Sequence, residues 1–216
     1  MEVEQMMSVE EALERVLAHF APLEAEDVPL LEALDRVLAE DVISPINIPP
    51  LDNTAMDGYA LRAEDTAGAT RESPVRLRVT SELPAGYVAR ETVASGTAVR
   101  IMTGAPIPPG ADAVAEFEVV DRQGDKILLR RPVPPDRNVR HAGEDVRQGE
   151  VVLTSGTVLR PAEIGVLASL GRTRVRVVRR PRVAILSTGD EVAVPGEDLR
   201  PGQIYDANGY SVAAQT

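Results

Sequence analysis

Apolar residues recur at helical spacing near the start of the chain, at Val9, Ala12, Leu13, Val16, Leu17 and Phe20, between Ser8 and Pro22. Ser8 followed three residues later by Glu11 is a capping box, so the pattern predicts an amphipathic helix that Pro22 stops. Leu34, Val37 and Leu38 predict a second helix over 32–40, whose extended exit, Val42-Ile43, leads to a Pro-rich loop at Pro49. From Arg62 the period changes to two. Val75, Leu77 and Val79 alternate with Arg76, Arg78 and Thr80, which predicts a half-buried strand with its arginines on a solvated face. Residues 97–102 form the next expected strand. The run 113–119 reads as one arm of a hairpin with 126–129 across Gln123-Gly124-Asp125. Residues 149–159 read as strand, Ser155-Gly156 turn and strand. Pro161 then opens a helix through Ile164, Val166, Leu167 and Leu170, with Glu163 in its first turn and Gly171 just past its end.

A basic hinge, Val178-Arg179-Arg180-Pro181-Arg182, marks a boundary. Beyond it the apolar run Val183-Ala184-Ile185-Leu186 predicts a strand ending in Ser187-Thr188-Gly189-Asp190-Glu191. The first strand of an open α/β sheet delivers such a loop to its carboxyl edge, where these folds bind ligands. A second strand over 203–206 leads to Asn208, the expected N-cap of a helix starting near Ser211. Two strands and part of a helix cannot cover both faces of a parallel sheet, so the pattern implies the N-terminal part of a longer protein.

Composition narrows the chemistry. The chain has 216 residues, 44% of them hydrophobic and 26% charged, values ordinary for a globular protein. With 3% aromatic residues and no Trp, burial must come from Val, Leu, Ile and Ala. The absence of cysteine excludes disulfides, thiolate ligands and thiol nucleophiles. A formal charge of -11 argues against nonspecific binding to nucleic acid or to an acidic membrane. An anionic substrate would need a bound cation or local arginines to offset repulsion. There is no basic leader and no run long enough to span a bilayer, which sets a cytoplasmic expectation.

Four stretches fit neither period and carry polar groups instead. The first is Pro49-Pro50-Leu51-Asp52-Asn53-Thr54-Ala55-Met56-Asp57-Gly58-Tyr59-Ala60, where turn-forming pairs hold two carboxylates, two hydroxyls and an amide. The second runs from Arg100-Ile101-Met102-Thr103-Gly104-Ala105-Pro106 to Val114. Its Thr-Gly pair at a strand end could offer a hydroxyl and an unhindered N–H to a phosphate. The third is Arg140-His141-Ala142-Gly143-Glu144-Asp145-Val146, and the fourth is the Ser187–Glu191 loop with the later Ile204-Tyr205-Asp206. Alone, each reads as a connecting loop.

Together, in this order and spacing, they resemble the molybdopterin molybdenumtransferases, the MoeA-type enzymes of molybdenum cofactor assembly. Thr54 stands where the family has Ser, and Val146 where it has Ile. The resemblance extends from Ser8 to Asn208. It implies an α+β multidomain fold: an elongated helix/strand domain over 1–48 and 138–178, a small mainly β domain inserted over 49–137, and the truncated start of an α/β molybdopterin-binding domain over 179–216. It implies insertion of molybdate into adenylylated molybdopterin with release of AMP. It further implies Asp57, Thr103, Asp145 and Glu191 as catalytic residues, with Asp57, Asp145 and Glu191 holding Mg²⁺, an ion suited to carboxylate and phosphate oxygens. Thr103, Gly104, Thr188, Gly189 and Asp190 are the expected substrate contacts. Asp52, Glu144 and Asp190 are second choices as carboxylates and could serve only to order their loops. His141 receives no role. The resemblance implies a homodimer in which Asp57 and Thr103 of one chain meet Glu191 of the other, and the molybdopterin adenylyltransferase as a possible partner. Because the loop bearing Glu191 depends on neighbouring strands and helices not found in this stretch, the stretch alone is expected to be inactive. The competing reading is a non-catalytic scaffold of the gephyrin type.

Overall fold

The computed structural model describes residues 7–216. The expected first unit, 1–48, begins in residues that lie outside those described. In chain order the elements are helix α1 (Val9–Leu17), strands β1 (Ala25–Pro29), β2 (Val42–Ile43), β3 (Asn53–Thr54), β4 (Gly58–Leu61), β5 (Val75–Leu83), β6 (Thr97–Ile101), β7 (Ala113–Glu116), β8 (Val120–Gln123), β9 (Lys126–Leu129), β10 (Val139–Arg140) and β11 (Val151–Leu153), helix α2 (Pro161–Ser169), strands β12 (Arg174–Val178), β13 (Val192–Ala193) and β14 (Ile204–Tyr205), and helix α3 (Ala207–Ala213).

Six strands form one mixed sheet in the order β7-β4-β6-β5-β9-β8. Every neighbouring pair is antiparallel except β5 and β6, which run parallel. A parallel pair needs a crossover of about a dozen residues, and the segment from Pro84 to Gly96 supplies it. Because side chains alternate across a strand, β4 feeds two cores at once. Tyr59 and Leu61 join Leu77, Ala98, Ala115, Ile127 and Leu129 on one face. Ala60 joins Leu83, Val99, Ile101 and Val114 on the other. Gly58 shows how tightly this sheet closes, since a Cβ there would stand 2.2 Å from the Ala115 carbonyl oxygen.

The hairpin expected between 113–119 and 126–129 is replaced by a different pairing. The apolar run breaks at a 3₁₀ turn, Phe117–Val119, so β7 leaves to pair with β4 while β9 takes β8 as its hairpin partner. Both choices satisfy the same alternation. Long-range registry, which the run itself does not encode, decides between them.

A second core gathers Val28, Ala33, Leu38, Val42, Leu159, Leu167, Leu170, Val175 and Val177. It lies under β1–β12, β2–β11 and α2. Here α2 forms as its caps dictate: Pro161 opens it, the Glu163 carboxylate accepts the Arg160 N–H at 2.9 Å, and Gly171 follows with φ 73°. The helix expected over 32–40 is absent. A 3₁₀ turn spans Leu30–Ala33, Asp35 adopts φ 59°, and the chain continues extended so that Val37 and Leu38 bridge Val158 and Val177. Sheet pairing that buries Leu38 completely outweighs a weak helical period. The buried Arg36 closes this unit, donating through Nη2 to Glu26 and to the Val178 carbonyl.

The two ends of the chain look different. In α1 the Ser8 hydroxyl accepts the Glu11 N–H as expected, yet the helix ends at Leu17 and buries none of its residues. After Arg179 the chain forms only the two-residue parallel pair β13–β14 and the short α3. The strand expected at Val183–Leu186 is not formed: among the described residues no backbone group pairs with it. Helix α3 starts earlier than expected. Asp206, not Asn208, is its N-cap and accepts the Gly209 N–H at 2.7 Å. Among the described residues no helix is long and apolar enough to cross a membrane.

Candidate functional site

Three of the four polar stretches are folded into one another. The Pro49–Gly58 loop enters through a cis peptide between Ile48 and Pro49 and runs between the other two. On one side, Asn53 and Thr54 pair with Arg140 and Val139, and Gly143 and Asp145 donate their N–H groups to the Pro49 and Ile48 carbonyls. On the other side, Thr54 N–H donates to the Ala105 carbonyl, Gly104 N–H to the Thr54 carbonyl, and Ile107 N–H to the Asp52 carbonyl. Loops that would otherwise leave backbone groups unpaired satisfy each other.

Asp57 lies at the turn where this loop becomes β4. Its Oδ1 accepts both the Thr103 hydroxyl, at 2.6 Å, and the Thr103 N–H, at 2.7 Å. These two bonds, with Arg100 nearby, hold the exposed carboxyl below its ordinary range. Oδ2 has no donor among the described residues. The arrangement corrects one expectation about the Thr103-Gly104 pair. Both N–H groups are already committed, Thr103 to Asp57 and Gly104 to Thr54, so neither is free for a phosphate. What the pair presents is mostly acceptor: the Thr103 oxygen lone pairs and the Asp57 carboxylate. Acceptors suit a cation or a ligand that brings donors; bare anions require the neighbouring arginines.

Asp145 is held differently. Both its oxygens accept from Arg140 Nη2, at 2.6 and 2.7 Å, and the pair raises the Arg140 guanidinium pKa further. Arg140 also lies 3.7 Å from Glu144. Glu144 in turn accepts the His141 N–H at 3.1 Å, and Asp52 accepts the Ala142 N–H at 2.7 Å. That last bond, helped by the His141 ring 3.4 Å away, lowers the Asp52 pKa. Asp52 and Glu144 thus serve to order the loops. Thr54, which keeps a hydroxyl where the family has Ser, turns it inward. It is buried, donates to the Met56 carbonyl at 2.6 Å and accepts the Met56 N–H, so it shapes the turn ahead of Asp57.

Sequence reasoning passes over two features. Arg137 pairs with Glu116, next to Gly58 in the β4–β7 register; burial alone would raise the Glu116 pKa, but Arg137 and Asn138 bring it below its ordinary value. Arg100 enters the sequence reading only as part of a motif. It stands opposite Tyr59 in the β4–β6 register, on the same side of the sheet, and strand alternation is the signal that could find it.

The fourth stretch stays apart. Thr188, Gly189, Asp190 and Glu191 are exposed, and no hydrogen bond or ion pair of residues 181–216 reaches the rest of the described chain. The polar pairings here stay within the segment: Ser187 and the Gly209 N–H, which donates to Asp206 at 2.7 Å, lower the Asp206 pKa. Among the described residues no three His, Asp or Glu side chains are disposed to hold a metal ion. Within the described residues of one chain, Asp57, Asp145 and Glu191 are therefore not brought together, and each Asp145 oxygen accepts from Arg140.

A family profile described as the MoeA N-terminal region (domain I and II) matches residues 7–171. Molybdopterin molybdenumtransferase 2 of Mycobacterium tuberculosis is 46% identical over 187 residues, covering 87% of this chain and 46% of that protein. Molybdopterin molybdenumtransferase of Haemophilus influenzae is 43% identical over 209 residues, covering 96% of this chain and 50% of its own. The crystal structure of the molybdopterin biosynthesis moeA protein from Pyrococcus horikoshii OT3 superposes with a TM-score of 0.92 at 44% identity, over 98% of this chain and 56% of that one. The chain thus spans about half the length of the curated relatives it matches. Motifs, mixed sheet and comparisons agree: the chain belongs to the MoeA family, whose N-terminal region it contains.

Proposed function

We propose that the complete protein acts in molybdenum cofactor biosynthesis, inserting molybdate into adenylylated molybdopterin with release of AMP. The observation that carries this reading is the Asp57–Thr103 pair, built by three interlocked motif loops in a member of this family. Asp57 is ionised at neutral pH and has one oxygen open, so it can accept a proton or orient a donor on the substrate. Thr103 fixes that carboxylate and adds hydroxyl lone pairs. An anionic substrate requires positive charge in a chain of formal charge -11, and Arg137 and Arg140 can supply it by exchanging their present carboxylate partners, Glu116 and Asp145. Glu191 and the Thr188–Asp190 loop complete the site in a homodimer, where they come from the second chain. Any magnesium site built on these carboxylates belongs to that dimer. The reaction belongs in the cytoplasm, and the molybdopterin adenylyltransferase is the natural donor of substrate.

Molybdenum insertion by the complete protein tests this reading. Asp57→Ala and Thr103→Ala abolish insertion while leaving the thermal transition in place. Unchanged insertion by both variants would overturn it.

A further inference from the structure

We infer that Arg100 is a positioning residue for Asp57, acting as the centre of a cluster with Glu82, Phe117 and Tyr59 that fixes the Asp57–Gly58 turn. In the β5–β6–β4 register Arg100 lies opposite Glu82 on one side and Tyr59 on the other. Its Nη1 donates to Glu82 Oε1 at 3.0 Å, and its guanidinium carbon lies 5.2 Å from the centroid of the Phe117 ring. Phe117 meets Tyr59 edge to face, with centroids 5.2 Å apart and planes at 64°. The contacts therefore run from Glu82 to Arg100, on to Phe117 in the turn after β7, and back to Tyr59, which lies opposite Arg100.

Phe117 connects the cluster to the site. Its N–H donates to the Asp57 carbonyl at 3.3 Å, so the residue that the guanidinium covers is bonded to the backbone whose side chain accepts from Thr103. Arg100 and Thr103 also share one short segment, the former on β6 and the latter just past its end. One guanidinium thus acts on the turn from both ends: through Phe117 on the Asp57 backbone, and through its own strand on Thr103. Its positive charge acts on the carboxylate as well. The other charged groups around the turn are Glu82, which Arg100 pairs, and Glu116, which faces Gly58 and is paired by Arg137. Lysine serves this function poorly, because an ammonium lacks the forked donors that let one guanidinium hold Glu82 and cover the Phe117 ring together.

The catalytic meaning of this role rests on the Asp57 reading above, but its test does not. The probe is the Thr103 amide proton, whose pH titration follows the Asp57 carboxylate and whose exchange reports on the turn. In this chain, Arg100→Gln raises the titration midpoint and speeds Thr103 exchange roughly tenfold, the ratio for about 1.4 kcal/mol. Removing an ion pair and a cation–π interaction at once can supply that ratio. Arg100→Lys keeps the midpoint low yet still speeds exchange, and Phe117→Leu does the same. In all three, the amides of Ile127 and Leu129 keep their protection. Unchanged Thr103 exchange and midpoint in a folded Arg100→Gln would overturn the proposal. If Arg100→Gln does not fold, Arg100→Lys decides by the same exchange criterion. Asp57→Ala with full insertion activity would sink the functional reading and leave this result standing.

Discussion

The region over 49–146 and the segment after Arg179 both carry family motifs, but they are built in opposite ways. In the first, loops distant in sequence close each other's hydrogen bonds, and the central strand β4 has a core on each face. The Asp57–Thr103 bonds join residues 46 apart in sequence. In the second, strands of two residues pair only with each other, and Leu186, Ile204 and Tyr210 stay exposed. Its polar pairings, such as the Gly209 N–H to Asp206 at 2.7 Å, stay within it. The difference teaches that a motif names residues, while neighbours on both sides fix their positions. Asp57 and Thr103 have such neighbours within this chain; Glu191 does not.

The largest expected contrast is in side-chain truncation. Leu38, fully buried in the second core, costs about 2–5 kcal/mol when changed to alanine. Leu186→Ala, at 88% exposure, stays within about 0.5 kcal/mol. Denaturant unfolding of both variants measures this, and equal effects would break the comparison. Next comes Gly58→Ala, whose new methyl must push against the Ala115 carbonyl and open the β4–β7 pairing. A cost of about 1–3 kcal/mol is expected from overpacking, read in the same unfolding experiment. Gly165→Ala, with open space around it, provides the control.

How much of this is legible in the sequence follows the same division. Helix α2 announces itself because its signals are local: Pro161, Glu163 and Gly171 each act within a turn. Strand β5 is visible from its alternation, since one face is buried. The polar loops are recognisable as motifs, because their carboxylates stand away from any apolar stripe. What the sequence does not reveal is partnership. The run 113–119 suits β4 or β9 equally by pattern, and Leu38 fits a helix stripe or a bridge to Val177. The N–H groups of Thr103 and Gly104 look free in the sequence, because the groups that use them, Asp57 and the Thr54 carbonyl, lie some fifty residues earlier. Arg100 escapes notice for the same reason: its role depends on Glu82 and Phe117 converging through the sheet.

A smaller effect concerns pH. The Thr103 bonds depress the Asp57 pKa in the folded chain below its ordinary value of 3.8. A carboxylate depressed in this way stabilises the turn fully above that ordinary value, and the contribution is lost as pH falls through the lower folded one. Between neutral pH and the ordinary carboxylate range, the Thr103 amide resonance therefore stays constant, and it moves only in more acid solution. A midpoint at or above the ordinary value would contradict the two-bond geometry. Asp206, lowered by Ser187, titrates in the same direction. Ser187→Ala returns it toward the ordinary value without touching Asp57.

Backbone amide exchange, read residue by residue on this chain in monodisperse solution, tests the central contrast most directly. The account predicts strong protection along β4, β5, β6 and β9, intermediate protection for Thr54, Gly104 and Asp145 where the loops interlock, and rapid exchange over 183–206. Protected amides throughout 183–206 would contradict it, because they would show that the segment bearing Glu191 is fixed without the neighbours it lacks here.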